Sequence, residues 1–477
     1  MSEVPFIAFV SFPSAPYTTS LIHSALSTHF PTVSITAKFP DGVGTPVLQW
    51  STYDDISHER TLSDPRTVLA SSYTFRKALI RKHFLNNIVQ SYITKHPDSC
   101  LVRGVPQTWA FEISWADELD DMWVDELWDL AQMLEDSDPM AGPGRWFILK
   151  PSMADRGMGI RLFESKDALK RIFESFEDDE DEERAEREDE DSGDQTDVSA
   201  SQLRHFVVQE YLPRPLLIDP AESSPGGVSS PLPSLQGRKF HIRAYCVAAG
   251  ALSLYLYPRF LALFAAKPYA PPCRPEDDDD DDEGDNDAPL PLDLAPHLTN
   301  TSLQQECGDE NVRLLSELIG SHIFSIEGDE SEQRLSEEDV RDITDQIAAL
   351  LADVFQAAIN SPIHFQALPN AFELFGTDFL VAHNPPNSSK KFQVHLLELN
   401  AEPAIELTGA RLGWILQELF TSIARVCVKG FFEPAPPDDG QGSSGGGNRE
   451  LEGWEVGEER FGLRKCLEVQ VRGKTGW

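Results

Sequence analysis

Residues Phe372 to Leu412 read FELFGTDFLVAHNPPNSSKKFQVHLLELNAEPAIELTGARL, and this stretch decides the fold. Two runs rich in β-forming residues, FELFGTDFLVAH and FQVHLLELNAEP, flank Pro-Pro-Asn-Ser-Ser, the pattern of two strands joined by a loop. Each run sets an acid among apolar neighbours: Asp378 beside Phe379, and Glu398 between Leu397 and Leu399. A carboxylate in a half-buried strand is unfavourable unless cations or hydrogen-bond donors compensate it. Asn400, two residues past Glu398, shares its face through strand alternation. Asp378, Glu398 and Asn400 thus form an all-oxygen donor set, suited to a hard cation that holds phosphates, and Mg²⁺ is the expected ion. A single acid facing water would need no such explanation, but the Glu-x-Asn pair between an apolar run and Ala-Glu-Pro favours a metal.

Four upstream motifs extend this reading. WFILKPSMADRGMGIRLF places Lys150 at a strand end and Gly157 and Gly159, followed by Ile160, in a turn where backbone N–H groups can approach phosphates. Alone it fits an ordinary hairpin equally well, and it has neither Walker spacing nor the dinucleotide fingerprint. FVVQEYLPRPLLI (206–218) is a buried strand whose Gln209, Glu210, Tyr211 and Leu212 offer groups to an adenine edge, or else an edge strand stopped by Pro213. GRKFHIRAYCVAAGALSLYLY (237–257) reads as strand, Ala249-Gly250 turn and second strand. Its Lys239, His241 and Arg243 alternate with apolar residues and share one face, the strongest local sign of a phosphate or carboxylate site. His297-Leu298-Thr299-Asn300 carries side chains that suit a nucleotide or a helix N-cap.

Composition bounds the function. The chain has 477 residues, 40% of them hydrophobic, with a formal net charge of −39. Two runs, Glu177 to Asp197 and Glu276 to Asp287, supply 22 units of that excess and read as solvated, disordered insertions. So acidic a balance argues against nucleic acid as the main ligand. The six cysteines form no Cys-x-x-Cys pair, which predicts free thiols in a reducing compartment. With Glu3 and no basic segment before its apolar start, the N-terminus does not read as a signal peptide, and no uncharged apolar run reaches membrane-spanning length. The expectation is a cytoplasmic protein with no membrane partner.

The expected organisation begins with a small α/β domain over 1–75, with a strand at Phe6 to Phe12, a helix at Thr18 to His29 and a strand at Val33 to Ala37. A central domain over 76–145 follows, with one helix at Phe75 to Lys95 and an acidic one at Ala116 to Glu135. Arg76, Lys77, Arg81, Lys82 and His83 form a basic cluster that reads mainly as a solvated face, with one or two cations turned to an anion. The C-terminal domain spans 146–433, interrupted by insertions at 177–201, 219–236, 273–293 and 328–338. A flexible linker over 434–450 and a C-terminal segment over 451–477 complete the chain.

Taken in order, the motifs resemble the tubulin-tyrosine ligase family of the ATP-grasp superfamily. The resemblance rests on Lys150-Pro151 with Arg156-Gly157-Met158-Gly159-Ile160, QEYLPRPLLI, GRKFHIR, HLTN, FELFGTDF and LLELNAEP, over roughly residues 75–425. It implies an ATP-grasp fold of α+β and α/β character with ATP between two β-layers. It also implies that a carboxylate is phosphorylated to an acyl phosphate and attacked by an amine. On this resemblance Lys150 and Lys239 contact phosphates, Gln209 to Leu212 hold adenine, and the Gly157–Ile160 turn and His297 to Asn300 line the nucleotide site. Asp378, Glu398 and Asn400 bind Mg²⁺, while Arg243, with His241 and Lys239 beside it, serves the reacting groups. The implied partners are ATP, a free amino acid and a protein acceptor with a C-terminal or side-chain carboxylate, tubulin tails being the class the family suggests. Three positions depart from the family pattern: His241 replaces an Asp, Leu263 replaces an Arg, and Ala401-Glu402 replaces a glycine. They raise an alternative, a catalytically impaired nucleotide-binding interaction module.

Overall fold

The computed structural model describes residues 6–40, 44–135, 145–153, 157–189, 204–222, 235–273, 292–299, 311–324, 333–433 and 449–469. At the N-terminus, Ile7–Ser11, Ser34–Thr36, Val47–Ser51 and Val68–Ala70 form a parallel sheet with the Ile7–Ser11 and Val47–Ser51 strands at its centre. Helix Pro16–His29 starts on a proline, whose missing N–H has no intrahelical partner at that position anyway.

A second, antiparallel sheet takes the order Thr108–Glu112, His205–Glu210, Phe147–Pro151, Arg161–Phe163. It crosses residue 146, where the sequence reading places a boundary, because the Thr108–Glu112 strand finds its partner almost a hundred residues away, a pairing that local pattern does not carry. The third sheet is the largest. Its main path runs Phe392–Ala401, Phe372–His383, Arg238–Ala249, Ser253–Phe264, Leu463–Glu468, Glu459–Arg460. The first four are the two long hairpins read from the sequence.

Alternation divides this sheet between two cores. Ala244, Cys246 and Ala248 enter the core covered by helix Glu337–Ile359, which presents Ile343, Ile347, Leu350, Leu351, Val354 and Phe355. Tyr245, Val247 and Tyr257 enter the other, shared with Leu21 and Ile22 of the N-terminal helix and Leu416 and Phe420 of helix Gly413–Ile423. The N-terminal unit therefore packs on the face of the large sheet opposite helix Glu337–Ile359.

Several local expectations are corrected. Phe75 to Lys95 is two helices, Lys77–Ile80 and Lys82–Lys95, with Arg81 extended between them. The Ser152 hydroxyl accepts from the His83 backbone N–H at 3.0 Å and caps the second helix from outside, so the break is tertiary. Ala116 to Glu135 is not one helix but short helical pieces ending in Trp128–Glu135, wrapped so that Leu119, Leu127 and Leu130 all reach Phe173 and Phe206 of one core. Helix Lys166–Asp189 runs through the first part of the acidic run expected to be disordered, as glutamate is a good helix former. Residues 336–338 open the long helix, with Ser336 and Asp339 forming a capping box. Residues 333–335 pair with 321–323 ahead of that helix, and 190–201 and 328–332 lie outside the described residues, as does most of 219–236 and 273–293.

The C-terminal segment is an integral strand: Leu463–Glu468 pairs with Ser253–Phe264, and Leu463 and Trp454 are buried in the N-terminal-side core. Leu463→Ala should destabilise the protein by about 2–4 kcal/mol in urea unfolding. A loss under about 1 kcal/mol would show that this strand adds little to the sheet.

Candidate functional site

The large sheet and the Phe147–Pro151 sheet enclose a cleft of about 380 Å³. Every described residue named as a site candidate lines it except Gly159, which lies in the turn between the lining residues Met158 and Ile160. Asn300 lies outside the described residues. Gly157 and Gly159 have φ of +80° and +70°, left-handed values that favour glycine, so the turn depends on both.

At one end of the cleft, Ile148 faces Gln209 across the ladder, which makes Lys150 and Gln209 diagonal neighbours. Lys150 Nζ donates to Gln209 Oε1 at 2.7 Å, and Gln209 Nε2 donates to Thr108 Oγ1 at 3.1 Å. Lys239 Nζ lies 4.3 Å from the centre of the Tyr211 ring, and the Tyr211 hydroxyl lies 3.0 Å from His297 Nδ1. Burial lowers Lys150 to a pKa of about 8. Burial, with Lys150 as a like-charged neighbour, lowers Lys239 to about 7. Burial also takes His297 down to about 4, with Lys239 adding to the effect, so its ring is neutral at physiological pH.

The carboxylates occupy the middle. Asp378 and Glu398 are direct partners across the Phe372–His383 and Phe392–Ala401 ladder, with a bulge immediately beyond. Like charges placed directly opposite repel, and a bulge beside a site re-aims side chains. Arg243, the Asp378 partner on the other side, answers with a two-pronged ion pair, Nε to Oδ1 at 2.5 Å and Nη2 to Oδ2 at 2.9 Å. Lys82 Nζ lies 3.2 Å from Glu398 Oε2. Burial alone would raise the Glu398 carboxyl, but Lys82 and Lys150 outweigh it and hold the group well below the usual carboxylate range. The Asn400 amide lies 3.3 Å from an oxygen of each acid. Gly376 leaves room for this arrangement: a Cβ there would stand 2.8 Å from Pro403 Cβ and 3.4 Å from Arg243 Cδ.

His241 is buried, with Nδ1 2.6 Å from Thr299 Oγ1 and Nε2 3.6 Å from Asp378 Oδ1. Burial lowers its pKa and the nearby Asp378 only partly offsets this, so the ring is neutral. Nε2 has no hydrogen-bond partner among the described residues.

The donor set fits a hard divalent cation. The two carboxylates and the Asn400 side chain converge within hydrogen-bond distance, and turning the amide over presents its oxygen. Among the described residues no group of three or more His, Cys, Asp or Glu is placed to hold a metal ion, so the third ligand of this set is the Asn400 amide. Sequence reading left Lys82 inside a basic cluster, and nothing local distinguishes it from Arg81 or Lys77. It also passed over Tyr245, Leu261, Glu402, Ala404 and Thr408, whose place in the cleft follows from strand register and from the turn after Asn400.

Comparison with known proteins bears on the family and the fold. The profile of the tubulin-tyrosine ligase family matches residues 68–436. A Saccharomyces cerevisiae protein described as probable tubulin–tyrosine ligase PBY1 is 35% identical over 446 residues, 91% of this chain and 53% of that protein. The chain thus spans about half the length of that relative. A probable tubulin–tyrosine ligase of Schizosaccharomyces pombe is 38% identical over 393 residues, 81% of this chain and 83% of that protein. The crystal structure of the C-terminal domain of K. lactis Pby1, described as an ATP-grasp enzyme interacting with the mRNA decapping enzyme Dcp2, superposes with a TM-score of 0.61. It is 28% identical and covers 98% of this chain and 100% of that one. The architecture is the ATP-grasp fold, as the motifs imply, and no helix among the described residues is long and apolar enough to cross a membrane.

Two expectations follow from the geometry. Anionic phosphates favour the charged lysines, and Lys239 and Lys150 lose their protons near pH 7 and 8. ATP affinity should be flat below about pH 7 and fall above it, approaching a tenfold loss per pH unit for each lysine engaged. Calorimetry across pH 6–9 checks this, and a flat profile in a protein that binds ATP would remove both lysines from the phosphate site. Gly376→Ala should force Pro403, and with it the turn after Asn400, to shift, seen as a loss of cleft ligand binding in a protein with a normal circular dichroism spectrum.

Proposed function

The chain belongs to the tubulin-tyrosine ligase family, and from that premise we propose that its cleft binds ATP with Mg²⁺ and joins a free amino acid, through its amine, to a protein carboxylate. The observation that carries this reading is the convergence of a buried and a half-buried lysine, a compensated carboxylate pair and a neutral histidine in one cleft. In this scheme Lys150 and Lys239 bind phosphate oxygens, and Gln209 to Leu212, with His297 and Thr299, hold the base and ribose. Asp378, Glu398 and the Asn400 amide oxygen would hold Mg²⁺, which neutralises phosphate charge when bound. The acceptor carboxylate attacks the terminal phosphorus, the bond to the β-phosphate oxygen breaks and ADP leaves, and Arg243 steadies the charge on the transferred phosphoryl oxygens. The amine then displaces phosphate from the acyl carbon, and His241, neutral and open at Nε2, accepts the proton that nitrogen sheds.

A cytoplasmic setting suits the chain, since the five described cysteines are all free thiols. The family name makes tubulin tails the first acceptor to try. A second reading is favoured by one observation: Arg243 already closes both oxygens of Asp378, as in a site kept for shape rather than turnover. Under it the chain is a nucleotide-binding interaction module, with a decapping enzyme as partner by analogy with the K. lactis protein.

Incubating the protein with ATP, Mg²⁺, labelled amino acids and either tubulin or whole-cell extract separates the two readings. Ligase chemistry predicts label in a protein band, reduced on the order of a hundredfold or more by Glu398→Gln. No incorporation by a protein shown to bind ATP would leave the module. His241→Ala should lower turnover on the order of a hundredfold with little change in ATP affinity. Equal turnover would remove His241 from proton transfer.

A further inference from the structure

We infer that the end of the cleft beyond the carboxylate pair accepts an amine co-substrate with an apolar, uncharged body, and that Leu261 and Leu263 set this preference. The inference deepens the ligase reading and rests on it. Lys239, His241, Arg243 and Tyr245 follow one another along one face of strand Arg238–Ala249, spanning about 20 Å. The Tyr211 and His297 contacts fix the Lys239 end as the nucleotide end, which leaves Tyr245 at the other.

On the adjacent strand, Leu263 pairs with His241 and Leu261 with Arg243, so both leucines extend the same face sideways. Val312 and Leu314 pair in turn with Leu263 and Leu261 and continue it. Leu261, Leu263 and Tyr245 line the cleft and also belong to the large core behind it, so this wall is rigid as well as apolar.

The cations near the wall are already engaged. Arg243 is closed on Asp378. Arg411, behind the wall, holds Glu317 at 2.6 Å and the Val312 carbonyl at 2.9 Å. A carboxylate set against this wall would lose its hydration beside leucines whose neighbouring cations, Arg243 and Arg411, are already paired, whereas an apolar body displaces water from leucine. An ammonium group meets a different surface. Glu402 lines the same cleft with its side chain 43% exposed, fixed by a left-handed backbone (φ +51°) and by accepting from the Tyr53 N–H at 3.0 Å. Glu402 shares its carboxylate with Arg76 at 3.4 Å but stays partly exposed to the cleft, where it can face an ammonium, while Leu261 and Leu263 accept only an uncharged body behind it. Selection arises from both features together.

The test is calorimetric binding to the full chain loaded with a non-hydrolysable ATP analogue and Mg²⁺, using leucine, phenylalanine and isoamylamine against glutamate and aspartate. The expected result is binding of the apolar amines at least tenfold tighter than that of either diacid. Leu263→Arg should shrink or reverse this ratio by on the order of tenfold, with analogue binding by the variant reporting its folding. Should that variant not fold, Leu263→Ala should weaken isoamylamine binding severalfold. Glutamate binding as tightly as leucine, no amine binding to nucleotide-loaded protein, or an unchanged preference in a folded variant would each overturn the inference. Apolar amines that bind but are never transferred to an acceptor would keep this pocket and overturn the ligase reading instead.

Discussion

The structure turns on two carboxylates that stand directly opposite one another on adjacent strands. Asp378, buried, and Glu398, half-buried at the cleft, are ladder partners, and two like charges set directly opposite repel. Such a pair persists only if the surroundings supply charge and donors in fixed places. Arg243 arrives from the strand on the other side of Asp378, Lys82 from the start of a helix, and the Asn400 amide from two residues further along. Gly376 keeps the space above the ladder clear for the Arg243 side chain.

The same demand explains the layered arrangement. A strand can turn three polar groups to one face only if its other face is paid for by burial, and Phe240, Ile242 and Ala244 provide that beneath helix Glu337–Ile359. The N-terminal unit packs beyond the site through Tyr245 and the leucines of its neighbouring strand, so the far wall of the cleft is also the interface with that unit. Glu402 fastens the turn after Asn400 to Tyr53 and Arg76 of the N-terminal half, so the cleft rim is held by residues distant in sequence.

At the opposite end the electrostatics are reversed. Lys239 is buried and Lys150 half-buried without a carboxylate in hydrogen-bond contact, held instead by Tyr211 and Gln209, and their charged forms are disfavoured. A cleft with under-compensated cations at one end and tightly compensated acids at its centre has a direction. On the proposed reading, a nucleoside triphosphate would lay its phosphates across the lysines toward the acids, where a divalent ion would offset the remaining repulsion.

Much of this was legible in the sequence because strand alternation is strict. Lys239, His241 and Arg243 had to share a face, Glu398 and Asn400 likewise, and six motifs in order identified the family to which the chain belongs. What the chain's local pattern could not carry is anything set by contacts between distant segments. Lys82 became a partner of Glu398 only because Ser152 breaks and caps a helix that periodicity alone reads as continuous. Leu261 and Leu263 became a cleft wall only through the register of a hairpin with a bulge in it, and the C-terminal segment became a strand only by finding an open edge. Side-chain periodicity is a property of neighbouring residues and is written in the sequence. Register, capping from outside and charge compensation depend on which segments meet, and the tertiary structure alone decided those.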